Sequence, residues 1–363
     1  MNNAITPSDQ TQKDTAHHID ALVRSHQKVV RRRIAIIVAL VAVAVLAFIV
    51  STVVGPVNLT VAQVFKGIIN PGSLESTERT VLWKLRLPMS VMAVLIGIAL
   101  SAAGAQMQTI LNNPLAEPFT LGISAAAALG GASAIVLGWV LVPVPQLNLA
   151  VIAWVAAIAA TLIIAGFAIL RGANAETIIL LGIGMVFLFQ AALSLIQYRA
   201  SAEALQQIIF WTMGSLTRAT WLNNGILLIV ILLTLPIMAV LSWKLTALRL
   251  GDDRARAMGI NVNRLRITML ILTALLAATA VACAGVIGFI GLVGPHIARM
   301  LVGEDQRYFL PASMAAGAGI LCAAHALSLI IVPGLAIPIG IITAIVGVPF
   351  FFLIIMTRKR TQW

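Results

Sequence analysis

Ten apolar stretches divide this chain, lying near 34–54, 88–111, 119–142, 148–170, 177–197, 224–243, 267–286, 287–302, 310–331 and 337–357. A helix needs about 20 apolar residues to cross the hydrocarbon, where its backbone groups must be paired internally. These run lengths therefore predict an all-α polytopic membrane protein with about ten transmembrane helices. Of the 363 residues 60% are hydrophobic and 10% charged, whereas a soluble domain is about a quarter charged. The eighth run is the shortest and contains Gly294-Pro295. One membrane domain, 34–357, is the simplest division.

Residues 1–33 are polar and end in Arg31-Arg32-Arg33. The apolar run behind them is too long for a signal-peptide core. This reads as a disordered basic cytoplasmic tail (1–33) before the first span, with a short cytoplasmic tail at 358–363. Lysine and arginine in short loops mark the cytoplasmic side. With the N-terminus inside, only Lys66, Arg79, Lys84, Arg86, Arg199 and Arg218 fall outside, and the other 18 of 24 fall inside. Both termini are expected in the cytoplasm, at a bacterial inner or plasma membrane. The same asymmetry accounts for the +12 net charge without nucleic acid, since no basic loop carries interleaved aromatics.

One segment breaks the apolar pattern. "LTALRLGDDRARAMGINVNRLRI", 245–267, carries five arginines and two aspartates between spans six and seven. Gly251, then Asp252 and Asp253, is helix-start chemistry that suits the helix dipole. Gly259 sits where a C-cap would be. Ala255, Met258 and Ile260 supply a small apolar face. The residues describe a short amphipathic helix outside the bilayer, either a solvated loop or a docking knob for a cytoplasmic partner.

Other chemistry is sparse. Glu117 and Glu176 are placed at cytoplasmic edges, no Asp or Glu falls mid-span, and His325 is the one titratable group deep in a span. Ion-coupled transporters usually carry such groups within the membrane. No Walker A loop, nucleophile elbow or zinc-protease motif occurs. Cys283 and Cys322 lie in apolar runs, and the five histidines show no metal spacing. The chain is expected to bind no metal or cofactor and to catalyse nothing itself. Gly285, Gly288, Gly291 and Gly294 recur every third residue, as close helix packing requires. Pro295 behind them should interrupt the backbone ladder. A faint echo links "RLPMSVMAVLIGIALSAAGAQMQ" from Arg86 to "RLRITMLILTALLAATAVACAGVIG" from Arg264. The two would run in opposite directions, as in weak inverted repeats.

Several phrases together resemble one family. They are "RLP" at 86–88, "AGAQMQTILNNPLAEPFTLGIS" at 103–124, "LGDDRARAMGI" at 250–260, "GFIGLVGPHIARMLVGEDQRYFLP" at 288–311 and "PIGIITAIVGVPFF" at 338–351. The chain is similar to the FecCD family of ABC-importer permeases, which take up ferric siderophores, haem or cobalamin. The resemblance implies type II importer architecture: two permease subunits, two cytoplasmic ATPases binding ATP and Mg, and an external binding protein or lipoprotein. A homodimer is slightly favoured over a heterodimer. By resemblance, Leu250, Gly251, Asp252, Asp253, Arg254, Arg256, Met258 and Gly259 form the ATPase-coupling region. Asn113 and Pro114 would shape an inner turn, "GEDQR" another inner loop, and Gly294, Pro295 and His296 a structural element.

Some positions depart from the family pattern: Met89, His325, Leu329 and Ala336 stand where relatives commonly have charged residues. Arg86 would remain for docking the binding protein, with Lys84, Arg199, Arg218 and Arg79 as further candidates. The stretch 197–221 would form an outer helix, with Phe210, Trp211 and Met213 as gate residues or as an interfacial aromatic belt. The expected cargo is a ferric siderophore, then haem or cobalamin. An ion-driven secondary transporter and a membrane anchor are the readings from other classes.

Overall fold

The computed structural model describes residues 7–357 apart from Asn58 and Pro333, and the described residues are helical with no strand. The helices are α1 (Pro7–Val53), α2 (Val61–Ile69), α3 (Ser76–Thr80), α4 (Leu87–Ile110), α5 (Ile123–Leu137), α6 (Pro145–Leu170), α7 (Ala175–Tyr198) and α8 (Ala202–Thr212). Then follow α9 (Trp221–Val240), α10 (Ser242–Leu248), α11 (Asp252–Ala257), α12 (Val262–Ala284), α13 (Ile290–Val302), α14 (Gln306–Ile330) and α15 (Ile339–Thr357). Each of the ten expected runs coincides with α1, α4–α7, α9 or α12–α15.

Seven of the described helices are long and apolar enough to cross a membrane, while α5, α13 and α15 are shorter apolar helices. At 1.5 Å per residue, the 13 residues of α13 cover about 20 Å against about 30 Å of hydrocarbon. Non-helical chain at 285–289 links α12 to α13.

Interactions sort the loops to two ends. At the basic end, Arg33 pairs with Asp305, Arg249 with Glu304, and Arg266 with Asp252 and the carbonyl of Ile110. At the opposite end, Arg86 reaches the chain after α1, and the residues after α8 bond to 284 and 339–340. The start of α12 meets the end of α4, so the two echoing segments are antiparallel neighbours.

Of the seven long helices the most buried are α4, α12 and α14, and the seams of the core run on small residues. A Cβ at Gly104 would overlap the carbonyl of Gly291, and one at Gly97 the backbone of Gly317 and Ala318. Backbones touch there because no side chain intervenes.

Two expectations are corrected. The break expected at Pro295 does not form, because α13 runs through it and the chain turns at 285–289, with Phe289 at φ +68°. Proline cannot bond the carbonyl four residues back. The freed Gly291 carbonyl instead accepts Gln108 Nε2 at 3.4 Å. Nor is 7–33 a disordered tail, since α1 is continuous from Pro7 to Val53. That stretch has no glycine, and its one proline sits in the first helical turn, where proline is tolerated. Residues 1–6 and the expected tail at 358–363 lie outside the described residues.

Candidate functional site

The polar segment folds as a knob on the basic end. After α10, the chain turns at Gly251 (φ +101°), forms the six-residue α11, and turns again at Gly259 (φ +77°). Both glycines take left-handed backbone that a side chain would strain. Asn261 then caps α12, accepting from the Arg264 amide at 2.9 Å. Ala255 and Ile260 turn inward and are buried. Met258 does not join that apolar face as expected. It is 48% exposed, and Leu250 56%, beside exposed Asp253, Arg254 and Arg256. Apolar groups presented to water within a charged rim suit a protein partner.

Two clamps root the knob. Arg266 meets both carboxylate oxygens of Asp252, at 2.7 and 2.8 Å. Its Nε donates to the Ile110 carbonyl at 2.7 Å. Separately, Glu304, in the "GEDQR" loop, accepts from both Arg249 and Arg299. Arg299 continues to Gln108 Oε1 at 2.7 Å, and Arg249 to Asn112 Oδ1 at 3.4 Å. Desolvation alone would raise the Glu304 pKa, but hydrogen bonds and charge from the two arginines outweigh it and hold it below the ordinary value. Gln306 ties the same loop to Thr109 Oγ1 at 2.7 Å and Thr246 Oγ1 at 3.1 Å.

The turn after α4 is built by Asn113, whose Oδ1 accepts from the Leu115 amide at 2.9 Å, with Pro114 between them. Such side-chain-to-backbone bonds are the usual role of asparagine in turns. The chain then folds back into the bundle. Glu117 and Pro118 lie against Gly291, and Thr120 and Leu121 against Gly182, well inside α7. Glu117 is thus not at the cytoplasmic edge where hydropathy placed it, because hydropathy cannot register a short re-entrant turn.

The opposite end changes the expected docking set. Arg86 is 5% exposed, and its guanidinium donates to the carbonyls of Thr52, Val53 and Val57. These are the orphan acceptors at the end of α1 and the turn beyond it. Arg86 therefore caps a helix and is not presented for docking. Arg218 is likewise occupied, donating to the carbonyls of Phe210 and Trp211 at 3.3 and 3.5 Å, and burial holds its pKa below the ordinary value. Lys84, Arg79 and Arg199 are exposed.

Of the three gate candidates, Trp211 is 5% exposed and packs over Gly131, whereas Phe210 is 57% exposed. The Met213 carbonyl accepts from the Gly340 amide at 3.2 Å. Around Phe210 and Trp211 lies a cavity of about 600 Å³, lined also by Glu203, Gln206, Arg218 and Ala336. His296 is buried edge-on to Phe350 at 6.0 Å, and Gly294 packs on Ser101. His325 is buried in α14, and its Nδ1 has no hydrogen-bond partner.

Sequence reading missed Arg266, Glu304 and Gln108. In "RLRI", Arg266 is one more inner-side arginine, and nothing local distinguishes it from Arg264.

Known proteins share both the sequence and this arrangement. Residues 40–357 match the FecCD transport family. The hemin transport permease HmuU of Yersinia pestis is 36% identical over 310 residues, covering 82% of this chain and 92% of that protein. The Fe(3+)-citrate import permease YfmE of Bacillus subtilis is 36% identical over 295 residues, 81% and 87% of the two chains. The vitamin B12 import permease BtuC of Yersinia enterocolitica is 31% identical over 351 residues, 96% and 99%. An inward-facing chain of a metal-chelate type ABC transporter superposes with a TM-score of 0.80 at 29% identity, covering 89% of this chain and 99% of that one. With its multi-pass helical bundle and a family match running from residue 40, within α1, through every later membrane helix, the chain belongs to the FecCD transport family.

Proposed function

We propose that this chain is the membrane-spanning subunit of an ATP-driven importer, carrying a ferric siderophore from an external binding protein into the cytoplasm. The observation that carries the reading is α11: a short helix held proud of the basic end, exposing Leu250 and Met258 and rooted by charge clamps to α4, α12 and α13. Excess arginine and lysine at that end support a cytoplasmic position for it, and on that topology for both termini. Hemin, ferric citrate and vitamin B12 permeases among the relatives support a bulky chelate as cargo. Two copies of the chain would enclose the path, and two separate subunits would bind ATP and Mg and hydrolyse ATP. This chain supplies the path and the contact with those subunits.

Nucleotide binding drives transport only if the ATPases touch α11 differently in the two states of the path. A helix rooted by ion pairs can pass that difference onward. At the other end, the cavity beside Phe210 and Trp211 is where cargo would enter.

The test is reconstitution in liposomes with the cognate ATPase and external binding protein. Ferric siderophores, haem and cobalamin are offered in turn with ATP inside. Accumulation of a ferric siderophore alone supports the reading. Haem or cobalamin accumulation moves the cargo assignment. Uptake that persists without the ATPase and collapses with an uncoupler points to an ion-driven transporter, and no uptake under any condition points to an anchor.

A further inference from the structure

A six-residue helix flanked by two glycines is a poor lever by itself. Neither Gly251 nor Gly259 resists bending, so α11 conveys force only through the side chains that tie it down. Ala255 and Ile260 are small apolar anchors. The polar anchor is Arg266, one turn into α12 and 3% exposed.

Its guanidinium joins four parts of the chain. It sits on α12, holds α11 through both oxygens of Asp252, and takes the last carbonyl of α4 at Ile110. Nη1 also reaches the carbonyl of Ala173, in the turn between α6 and α7, at 3.4 Å. Ile110 ends α4, where a carbonyl has no partner within its own helix, and Ala173 lies in a turn outside any helix. One planar, always-charged group with a fixed fork of donors satisfies all of these at once, and lysine, a point charge, cannot.

We propose that Arg266 is the joint that carries movement of α11 into α4 and the α6–α7 turn. It is a positioning residue, and the idea rests on the reading of α11 as the ATPase contact. If the ATPases displace α11, Asp252 pulls the guanidinium, which is bonded to α4 and to the link between α6 and α7. Asp252 is the weaker end of the joint, because it also faces Arg256 at 3.7 Å.

The experiment measures cargo uptake and ATP hydrolysis in the same proteoliposomes for Arg266→Lys, Asp252→Asn and the double variant. Cargo moved per ATP is expected to fall roughly tenfold in each, the scale of one lost charge-assisted hydrogen bond. The double variant should be no worse than either single one, as for two ends of one bond. A merely structural role would lower uptake and hydrolysis together and leave the ratio alone, and that result overturns the proposal. Should Arg266→Lys not assemble, Asp252→Asn carries the same test, since its amide keeps the shape and one acceptor.

A second readout needs no transport. Spin labels at exposed positions 254 and 171, with Cys283 and Cys322 replaced by alanine, report the separation of α11 from the α6–α7 turn in the isolated permease. The distribution should be narrow with Arg266 and broad with Arg266→Lys. Equal widths would sink the joint even if the transport reading stands. Unequal widths with no ATP-driven uptake in the unaltered complex would keep the joint and remove the transport reading.

Discussion

Replacing Arg86 separates a structural arginine from a docking one. Arg86→Gln removes the charge and the fork that donates to the carbonyls of Thr52, Val53 and Val57. Leaving a buried acceptor unpaired costs about 1–3 kcal/mol. The turn at Val54–Val57 lies near the surface, so water offsets part of the loss and the low end applies. Three acceptors at about 1 kcal/mol each sum to about 3 kcal/mol. That is roughly a 150-fold change in the ratio of folded to locally opened protein. Arg86 packs directly on Gly55, where a Cβ would sit 2.8 Å from its Nη2. The variant should aggregate at lower temperature when detergent-solubilised protein is heated and read by size-exclusion chromatography. Limited proteolysis should cut first between α1 and α2. Affinity of the surviving folded protein for the external binding protein should match the parent. Unaltered heat resistance together with lost binding-protein affinity would refute the capping argument and restore Arg86 as a docking residue.

Further outcomes follow from the same geometry. Gly259→Pro removes the amide that bonds to the Arg256 carbonyl at 2.9 Å and forbids φ +77°, and so does away with the end of α11; membrane insertion should persist while ATP-driven uptake is lost, and normal uptake would contradict the docking role. The Glu304 clamp gives a pH signature: its folded pKa is depressed, so its contribution is complete above the ordinary value of 4.5 and disappears as pH falls through the lower folded value. Thermal stability of the parent relative to Glu304→Gln should therefore be level above about pH 4.5 and converge below it, as melting curves across pH would reveal. Trp211→Ala should cost about 3–5 kcal/mol because it empties a buried site, and Phe210→Ala under about 0.5 kcal/mol, measured by denaturation in detergent. Similar losses for both would mean that Trp211 does not pack as described.

What the residues determined by themselves was the order of the apolar helices and the place of the knob. Runs of apolar residues, and the arginines and lysines between them, are local properties that need no knowledge of neighbours. The bounds of α11 were legible for the same reason, because Gly251, the aspartates and Gly259 act on their own backbone. Tertiary structure decided which arginines work. Arg86 and Arg266 look like ordinary loop charges until another helix is seen to end beside them, with carbonyls that no local partner satisfies. The break at 285–289, and not at Pro295, was settled the same way, since Gln108 on α4 donates to the carbonyl that the proline leaves free. The depth of Glu117 depends on how closely Gly291 and Gly182 admit the turn. Long-range pairing of this kind has no period and no composition to be read, because the partner lies some thirty to almost two hundred positions away along the chain.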